Sequence, residues 1–390
     1  MANARSLIVF YLLFFMSVGV TLPFLPVYYQ SLDIQPSQIG LLLSVGPFFA
    51  LVAPPLWGQL ADRTGRPGLV LFVLSVGSLC GFGLLLTATT FPAVLASLAL
   101  FSLFSAATTT VIDSLALAHV ERHGGSFAAL RTFGSAGFVI ATLAFGFFVD
   151  VVDRRVVHVT LALIGTYAGW AGLTLARTPA VKRTGPRADL AGAVSLLANP
   201  QVRWLLVATA LHWIASAPYH GSLGLQFKAL GFPPSTVSLS ASVAVTSEML
   251  VFSTWSRWGH RIKPRAVLML AFAVSAFRWG AMGFTSSATL LVALAGLHGI
   301  SFGAFYVAGI SWVAERAPGS LRSTGQSLFV AATFGIGGLI GFTGSGRLYD
   351  LVGGHRLFQL AALAEVLPML VVAFRLVDRA ENAPAAAAAS

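Results

Sequence analysis

Charge is scarce in this sequence. Only 9% of its 390 residues are Asp, Glu, Lys or Arg, whereas 56% are hydrophobic. A soluble globular domain carries about 25% charged residues, so this chain lacks the polar surface that a water-facing globule needs. The low charge content therefore excludes a soluble fold and favours a protein whose solvent is lipid.

Cysteine and acidic residues are also scarce. The one cysteine, Cys80, lies inside an apolar run, so no disulfide framework can form within the chain. The 24 Lys and Arg residues outnumber the 13 acidic residues and give a formal charge of +11. We expect no nucleic-acid partner from this excess, because the basic residues lie in short segments between apolar runs.

Long apolar runs dominate what remains. A helix needs about 20 apolar residues to cross the hydrocarbon core of a bilayer. Twelve such runs occur, at residues 6–29, 38–60, 68–88, 91–118, 126–149, 157–176, 201–227, 235–258, 266–286, 289–314, 324–349 and 355–376. The first is too long for the apolar part of a signal peptide. The runs predict an all-α membrane protein with twelve transmembrane helices.

The longest polar stretch divides the runs into two sets of six. It covers residues 177–200, and we interpret it as a cytoplasmic linker between six-helix bundles at 1–176 and 201–379. The Ala-rich tail, 380–390, is predicted to be disordered.

The basic residues indicate an orientation. With twelve helices, both termini lie on one side of the membrane, and most Lys and Arg residues between the apolar runs fall on that same side. The exceptions are Arg154, Arg155, Lys228, Arg347 and Arg356. Because Lys and Arg accumulate in cytoplasmic loops, we expect a multi-pass protein of the bacterial inner membrane with both termini in the cytoplasm.

An internal repeat supports the two halves. Two dipeptides recur at an offset of 201 positions, Trp57-Gly58 as Trp258-Gly259 and Phe133-Gly134 as Phe334-Gly335. Asp150 and Asp350 also occupy matching places. Repeats of this kind are typical of transport proteins built from duplicated halves.

The loop after the second run carries a spaced motif. Its members are Gly58, Asp62, Arg63, Gly65 and Arg66. The pattern resembles the signature loop of the major facilitator superfamily, Gly-x-x-x-Asp-Arg-x-Gly-Arg. Glycines permit a tight turn and close helix approach, and Asp62 could accept hydrogen bonds at a helix N-terminus. The resemblance implies two pseudo-symmetric six-helix bundles and a conformational latch at these five residues.

Several ionisable residues lie inside the apolar runs. Such groups are costly at membrane depth and usually face a cavity. They are Asp113, Arg131, Glu248, Arg278, His298 and Glu365, with His212 and His220 as further titratable groups.

Spacing converts these positions into depths. Asp113 and Arg131 each lie nine residues from position 122, so at about 1.5 Å per residue they have matching depths on neighbouring helices. The same arithmetic places Glu248, Arg278 and His298 near one level, with Arg278 as the partner of Glu248. Both acid–arginine pairs could instead be ion pairs that only fix helix packing.

The positions and partners of the other titratable residues are less narrowly predicted. His212 and His220 are eight residues apart, so we expect them on roughly one helix face. They could line the cavity or bond to a neighbouring helix. Glu365, near Pro368, is expected to pair with a polar group of the eleventh helix.

A more specific resemblance rests on five short segments. They are Asp113-Ser114-Leu115-Ala116, Leu130-Arg131-Thr132-Phe133-Gly134-Ser135, Thr246-Ser247-Glu248, Phe277-Arg278-Trp279-Gly280 and Leu297-His298-Gly299. These resemble the phenylpropionate permease family, a relative of the lactose permease. The resemblance implies that Asp113 and Arg131, in the fourth and fifth apolar runs, contact substrate. It also implies that Glu248, Arg278 and His298 join substrate binding to proton transfer.

One departure changes the expected proton carrier. The lactose permease has a Glu one turn beyond its helix-10 His, and Ser301 stands there in this chain. Glu248 is therefore the expected carrier. The predicted substrate-binding set is Asp113, Arg131, His212, His220, Arg278, Trp279 and His298.

The expected function is proton-coupled symport of a small organic anion or aromatic carboxylate by alternating access. Guanidinium groups bind carboxylates bidentately, which suits an anion. We expect a monomer with a small-molecule substrate and the lipid bilayer as partners, the proton as coupling ion, and no cofactor or metal. The chain lacks a catalytic constellation and an ATP-binding motif, so we do not expect an enzyme.

Three other functions fit the same residues. They are a proton-antiport exporter of drugs or siderophores, a sugar– or nucleoside–proton symporter, and a non-transporting membrane receptor or sensor.

Overall fold

The computed structural model describes residues 3–177, 190–318 and 321–378, and the regular structure in these ranges is helical. The long helices are α1 (Ala4–Ser31), α2 (Pro36–Thr64), α3 (Pro67–Leu86), α4 (Phe91–His123), α5 (Phe127–Phe148), α6 (Arg155–Leu175), α7 (Pro200–Ala229), α8 (Pro234–Trp258), α9 (Pro264–Phe284), α10 (Ala288–Arg316), α11 (322–352) and α12 (354–375). A short helix, Leu190–Ala198, precedes α7.

The predicted twelve spans are confirmed. Ten described segments are long and apolar enough to cross a membrane. One of them, Arg322–Arg375, is two helices that meet at Gly353, whose φ of 74° breaks the helix. The twelfth span is α7, which is less apolar because polar side chains such as Thr209, His212 and Gln226 are buried along it.

Local sequence explains where the helices begin and where they are irregular. Five begin with proline at the first helical position, where its fixed φ suits the turn and its missing N–H is not needed. These prolines are Pro36, Pro67, Pro200, Pro234 and Pro264. Three helices widen into π segments: α6 at Ala171–Leu175, α10 at Gly299–Ala304 and α11 at Ala331–Ile336. Such segments often occur at functional sites.

Helices α1–α6 and α7–α12 form two bundles that touch closely at one end. There Gly40 of α2 meets Gly346 of α11, backbone against backbone. The Ser238 hydroxyl of α8 donates to the Thr142 carbonyl of α5 over 2.8 Å, and the Ser37 N–H donates to Asp350 Oδ2 over 2.8 Å. We call this the closed end; it carries the loops 32–35, 149–154 and 230–233.

The opposite end is splayed. It carries the first and last described residues, Asn3 and Asp378, and the loops 65–66, 124–126 and 259–263, and we call it the open end. A Cβ added to Gly58 of α2 would meet no atom within 4 Å. On the same face of α2, two turns nearer the closed end, Leu51 still contacts Gly335 of α11. The space between the bundles therefore opens toward the chain termini.

The motif loop lies at the open end. Gly65 ends α2 with a left-handed φ of 63°, a conformation that glycine adopts without strain. The close approach predicted for Gly58 is absent in this conformation. The latch role of Gly58, Asp62, Arg63, Gly65 and Arg66 stays a prediction.

The predicted domain limits also stay predictions. Residues 178–189 of the proposed linker, and the tail 380–390, lie outside the described residues. The described part of the linker includes the helix Leu190–Ala198.

Candidate functional site

A cavity of about 380 Å³ lies between the two bundles. Aromatic and aliphatic side chains form most of its wall, including Phe15, Phe138, Trp213, Phe302 and Phe342. The ionisable groups on the wall are Arg131 from the N-terminal bundle and His220, Glu248 and His298 from the C-terminal bundle. The cavity thus combines an apolar wall with a few charged groups, which is the usual composition of a small-molecule site.

The Asp113–Arg131 pair belongs to the N-terminal bundle. Arg131 Nε lies 3.8 Å from Asp113 Oδ1, and the two side chains are 36% and 32% exposed. Their predicted matching depth is confirmed by this contact. The Tyr11 hydroxyl of α1 donates to the same Asp113 oxygen over 2.6 Å. Tyr11 carries no signal in the sequence that would mark it as a third member.

Arg131 contacts two aromatic rings in addition to its acid. Its guanidinium carbon lies 4.3 Å from the centre of the Phe15 ring and 5.7 Å from that of Tyr11. The 3.8 Å separation from Asp113 exceeds a normal hydrogen bond. Arg131 therefore keeps guanidinium donors for a ligand in the cavity.

On the opposite wall, Glu248 pairs with a histidine. Glu248 Oε2 lies 3.8 Å from His298 Nε2, and His298 Nδ1 lies 3.2 Å from Arg278 Nη1. The predicted common level of these three residues is confirmed. The expected direct Glu248–Arg278 pair is wrong, because His298 stands between them. Spacing along a helix gives depth but does not fix rotation about the helix axis.

Arg278 lies behind the cavity wall. It is fully buried, and its guanidinium carbon stacks 3.9 Å from the Tyr219 ring centre. Its Nη1 also donates to Ser301 Oγ over 3.3 Å. Among the described residues its Nε and Nη2 have no hydrogen-bond partner, and no carboxylate lies within ion-pair distance. Burial of an arginine in this way is costly, so Arg278 stays a candidate functional residue.

The two histidines of α7 occupy different environments. His220 lines the cavity and stacks on Trp213 at 4.6 Å between ring centres. His212 is 1% exposed and contacts Glu365 of α12. The expectation of one shared face is therefore wrong, because eight residues rotate the helix by about 80° from a full number of turns. Pro218 also lies inside α7 between them.

Glu365 does not pair with α11 as expected. Its Oε2 lies 2.9 Å from His212 Nδ1, and its Oε1 accepts from Trp279 Nε1 over 3.2 Å. The partners therefore come from α7 and α9. Trp279, predicted to bind substrate, is 2% exposed and stands behind the wall with Arg278.

The described residues contain no group of three His, Cys, Asp or Glu side chains that could hold a metal ion. Of the predicted substrate-binding set, the structure brings Arg131, His220 and His298 to the cavity. Asp113 lies beside Arg131, whereas His212, Arg278 and Trp279 form a second layer.

Comparison with known proteins agrees with the fold. The model of the MFS_1 like family matches residues 4–360. The maltose permease of Geobacillus stearothermophilus is 30% identical over 96% of this chain and 96% of its own length. The probable 3-phenylpropionic acid transporter of Escherichia coli K12 is 28% identical over 95% and 97% of the two chains.

Solved structures give the same architecture. The crystal structure of nucleoside transporter NupG superposes with a TM-score of 0.82 at 18% identity, over 96% of this chain and 98% of that one. The chain is similar to transporters throughout and not to enzymes. The chain therefore belongs to the MFS_1 like family and is a multi-pass membrane transporter with the major facilitator fold.

Proposed function

We propose that the protein is a proton-coupled symporter of a small organic anion with an apolar or aromatic body, working by alternating access. One observation carries this proposal. A single arginine, Arg131, faces a carboxylate–imidazole pair, Glu248 and His298, across a cavity whose other walls are largely aromatic and aliphatic.

Arg131 is the proposed anion receptor. Asp113 Oδ1 already accepts a short bond from Tyr11, and its contact with Arg131 is long. A substrate carboxylate can take the guanidinium donors in a bidentate geometry, which is among the strongest side-chain interactions. Asp113 and Tyr11 then act as positioning residues. The ring of the substrate would lie against the aromatic wall near Phe15 and Phe138.

Glu248 is the proposed proton carrier. It faces the same cavity as the substrate, so the charges of Glu248 and a bound carboxylate repel each other. A proton on Glu248 removes that repulsion, and by reciprocity substrate and proton assist each other's binding. Mutual assistance of this kind is the basis of symport.

His298 has a donor role in this arrangement. Arginine can only donate hydrogen bonds, so His298 Nδ1 accepts from Arg278. The ring proton of neutral His298 is then on Nε2, the atom that lies 3.8 Å from Glu248 Oε2. Arg278 therefore sets the tautomer of His298, and the Nε2–H is the His298 donor nearest the proposed proton carrier.

The two ends of the molecule support alternating access. The closed end is held by Ser37–Asp350 and by the contact of Gly40 with Gly346, while the open end exposes the cavity. We propose that both termini are cytoplasmic in a bacterial inner membrane, so the structure is inward-facing. We further propose that the motif loop holds the open end when that end closes, and that one chain is the working unit.

Uptake into proteoliposomes tests the proposal. Purified protein is reconstituted, and labelled 3-phenylpropionate, benzoate, maltose and a nucleoside are offered with and without an inward proton gradient. For one proton per substrate, a gradient of one pH unit supports at most about tenfold accumulation. We expect an aromatic carboxylate to accumulate and a protonophore to abolish the effect. Uptake that is indifferent to the gradient would contradict symport.

A neutral sugar is the second candidate. The relative named maltose permease is 30% identical over nearly the whole chain, and imidazole and carboxylate groups in the cavity could bind hydroxyls. If maltose accumulates and none of the carboxylates does, this candidate is favoured. Accumulation driven only by an outward gradient would instead indicate proton antiport and export.

A further inference from the structure

A second carboxylate lies behind the cavity wall, within the C-terminal bundle. Glu365 of α12 is fully buried and contacts His212 of α7 over 2.9 Å. The imidazole of His212 is held between the rings of Phe272 and Phe305, at 4.6 and 4.4 Å between ring centres. Its other nitrogen, Nε2, lies 3.2 Å from the Ser301 carbonyl oxygen.

The contacts of His212 determine how many protons the His212–Glu365 pair carries. A carbonyl oxygen only accepts, so the Nε2 atom of His212 carries a hydrogen. The Nδ1 atom of neutral His212 and an ionised Glu365 are then both acceptors, and they would repel at 2.9 Å. The contact therefore contains one further proton, either on Nδ1 or on the carboxyl group.

The Ser301 carbonyl is available because of an irregular helix. Ser301 lies in the π segment Gly299–Ala304 of α10, where the wider turn disturbs the regular i to i+4 pairing of backbone carbonyls. The same residue accepts from Arg278 Nη1 through its hydroxyl. Ser301 thus joins the His212–Glu365 pair to Arg278, and Arg278 contacts His298 at the cavity.

The charges around the pair favour reversible occupation by a proton. Among the described residues, α7 contributes His212 and Ser216 to the surroundings of Glu365, and α9 contributes Trp279. Arg278 is linked to the pair through Ser301, and among the described residues it lacks a carboxylate partner. With its proton the pair is neutral. Without it the pair carries one negative charge, which offsets the buried charge of Arg278.

We propose that His212 and Glu365 form a proton-binding site, separate from Glu248, that exchanges its proton during the transport cycle and communicates with the cavity through Ser301, Arg278 and His298. The proposal rests on the proposed proton-coupled function. Loss of the proton leaves two acceptors facing each other, either at Glu365 or, after a change of tautomer, at the Ser301 carbonyl. The repulsion favours a movement of α7 relative to α12 or α10. Helix α7 also contacts the N-terminal bundle at the closed end, where Gly224 meets Val27, so this movement acts on the closed end.

The first test needs no substrate. Trp279 donates to Glu365, so its fluorescence reports ionisation of the pair. The signal is the difference between the full-length protein and its Trp279→Phe variant across a pH titration. We expect a titration step that Glu365→Gln and His212→Gln both abolish and that Glu248→Gln retains. A step that persists in both variants, or a protein with no step, would overturn the site.

Folding does not confound this test. A glutamine at position 365 can accept from Trp279 Nε1 and donate to His212 Nδ1, so it imitates the protonated pair. Thr333→Val is the matched control, because Thr333 Oγ1 bonds to Thr209 Oγ1 over 2.9 Å in the same bundle with no titratable group. The control is expected to keep the step.

The second test measures transport of the substrate that the unaltered protein accumulates. The one proton of each cycle passes through both this site and Glu248, so in Glu365→Gln proteoliposomes we expect substrate exchange at equilibrium to stay within about twofold, while accumulation per pH unit falls from about tenfold to about one. Full accumulation by Glu365→Gln would overturn the inference. If the unaltered protein accumulates nothing, the proposed function fails, and the fluorescence titration still decides whether the pair is a proton site.

Discussion

His212 Nδ1 lies 2.9 Å from Glu365 Oε2, although 153 positions separate the two residues in the sequence. Both side chains are buried, and the contact joins the first and the last helix of the C-terminal bundle. A buried pair of this kind has a characteristic energetic signature, because removing one partner leaves the other unsatisfied.

Replacing one member of the pair should destabilise the protein more than replacing both members together. We expect His212→Leu or Glu365→Leu alone to destabilise the protein by about 3 kcal/mol, and the double variant to recover most of the loss. Thermal unfolding of the purified variants measures this. Additive losses in the double variant would show that the two side chains do not interact. Thr209→Val with Thr333→Val is the neutral comparison.

Arg131 should control affinity for an anion. Arg131→Gln removes the charged donors, and we expect substrate binding to weaken by about tenfold to a hundredfold. Arg131→Lys should recover only part of the affinity, because an ammonium lacks the bidentate fork. Isothermal titration of detergent-purified protein measures both values. Lys228→Gln, at the closed end and remote from the cavity, is the control. Unchanged affinity in Arg131→Gln would exclude it as the receptor.

Substitution of Glu248 should abolish proton-driven accumulation but leave substrate exchange intact. Glu248→Gln cannot release a proton, so we expect proton-driven accumulation to fall to about one while exchange across the membrane continues. Counterflow and gradient-driven uptake in the same liposomes give the two values. Glu121→Gln, which changes an exposed acid at the open end of α4, should leave both unchanged. A variant that still accumulates substrate would assign the proton to another group.

Two buried tyrosines of α1 provide a matched comparison. The Tyr11 hydroxyl donates to Asp113, whereas the Tyr29 hydroxyl has no hydrogen-bond partner among the described residues. Tyr11→Phe should cost about 1.5–3 kcal/mol and weaken substrate binding, since Asp113 loses a bond to a charged group. Tyr29→Phe should be neutral. Melting temperatures and Kd values for the pair decide this, and equal effects would remove Tyr11 from the site.

Asp350 should hold the closed end shut. Its Oδ2 accepts from the Ser37 N–H at the start of α2, where the helix dipole favours an anion. Ser222 is buried beside Ser345 at this end. A Cys80→Ser, Ser222→Cys variant therefore carries one thiol, at position 222, that reports opening of the closed end. We expect Asp350→Ala to shift the equilibrium by about 1 kcal/mol, seen as faster labelling by an impermeant thiol reagent.

The control for this experiment is Asp153→Ala. Asp153 pairs with Arg155 within one bundle, so its loss should not change the labelling rate. Equal acceleration by both variants would mean that the closed end responds to charge in general and not to the Ser37–Asp350 bond.

The sequence predicted the spans and the depths of the site residues, because hydrophobic run length and the rise of a helix are local properties. Asp113 and Arg131 could be paired in this way, since a single short loop joins their helices. The contacts that depend on helix rotation could not be predicted. His298 therefore replaced Arg278 as the neighbour of Glu248, and His212 separated from His220.

The contacts between distant helices were also beyond prediction. Nothing in the spacing of His212 and Glu365 brings α7 beside α12. The role of Ser301 depends on the π segment in α10, which no run length or loop length reveals. Tyr11 is an ordinary aromatic residue of an apolar helix until α4 brings Asp113 to it.

The proposed anion receptor and the proposed proton sites lie in different halves of the chain. Arg131, with Tyr11 and Asp113, belongs to the N-terminal bundle, and Glu248, His298, His212 and Glu365 all belong to the C-terminal bundle. In the proposed function, the anionic group is therefore bound by one bundle and the proton by the other. A hybrid that joins this C-terminal half to the N-terminal half of a relative with another substrate should change the substrate group that it binds and keep its proton coupling.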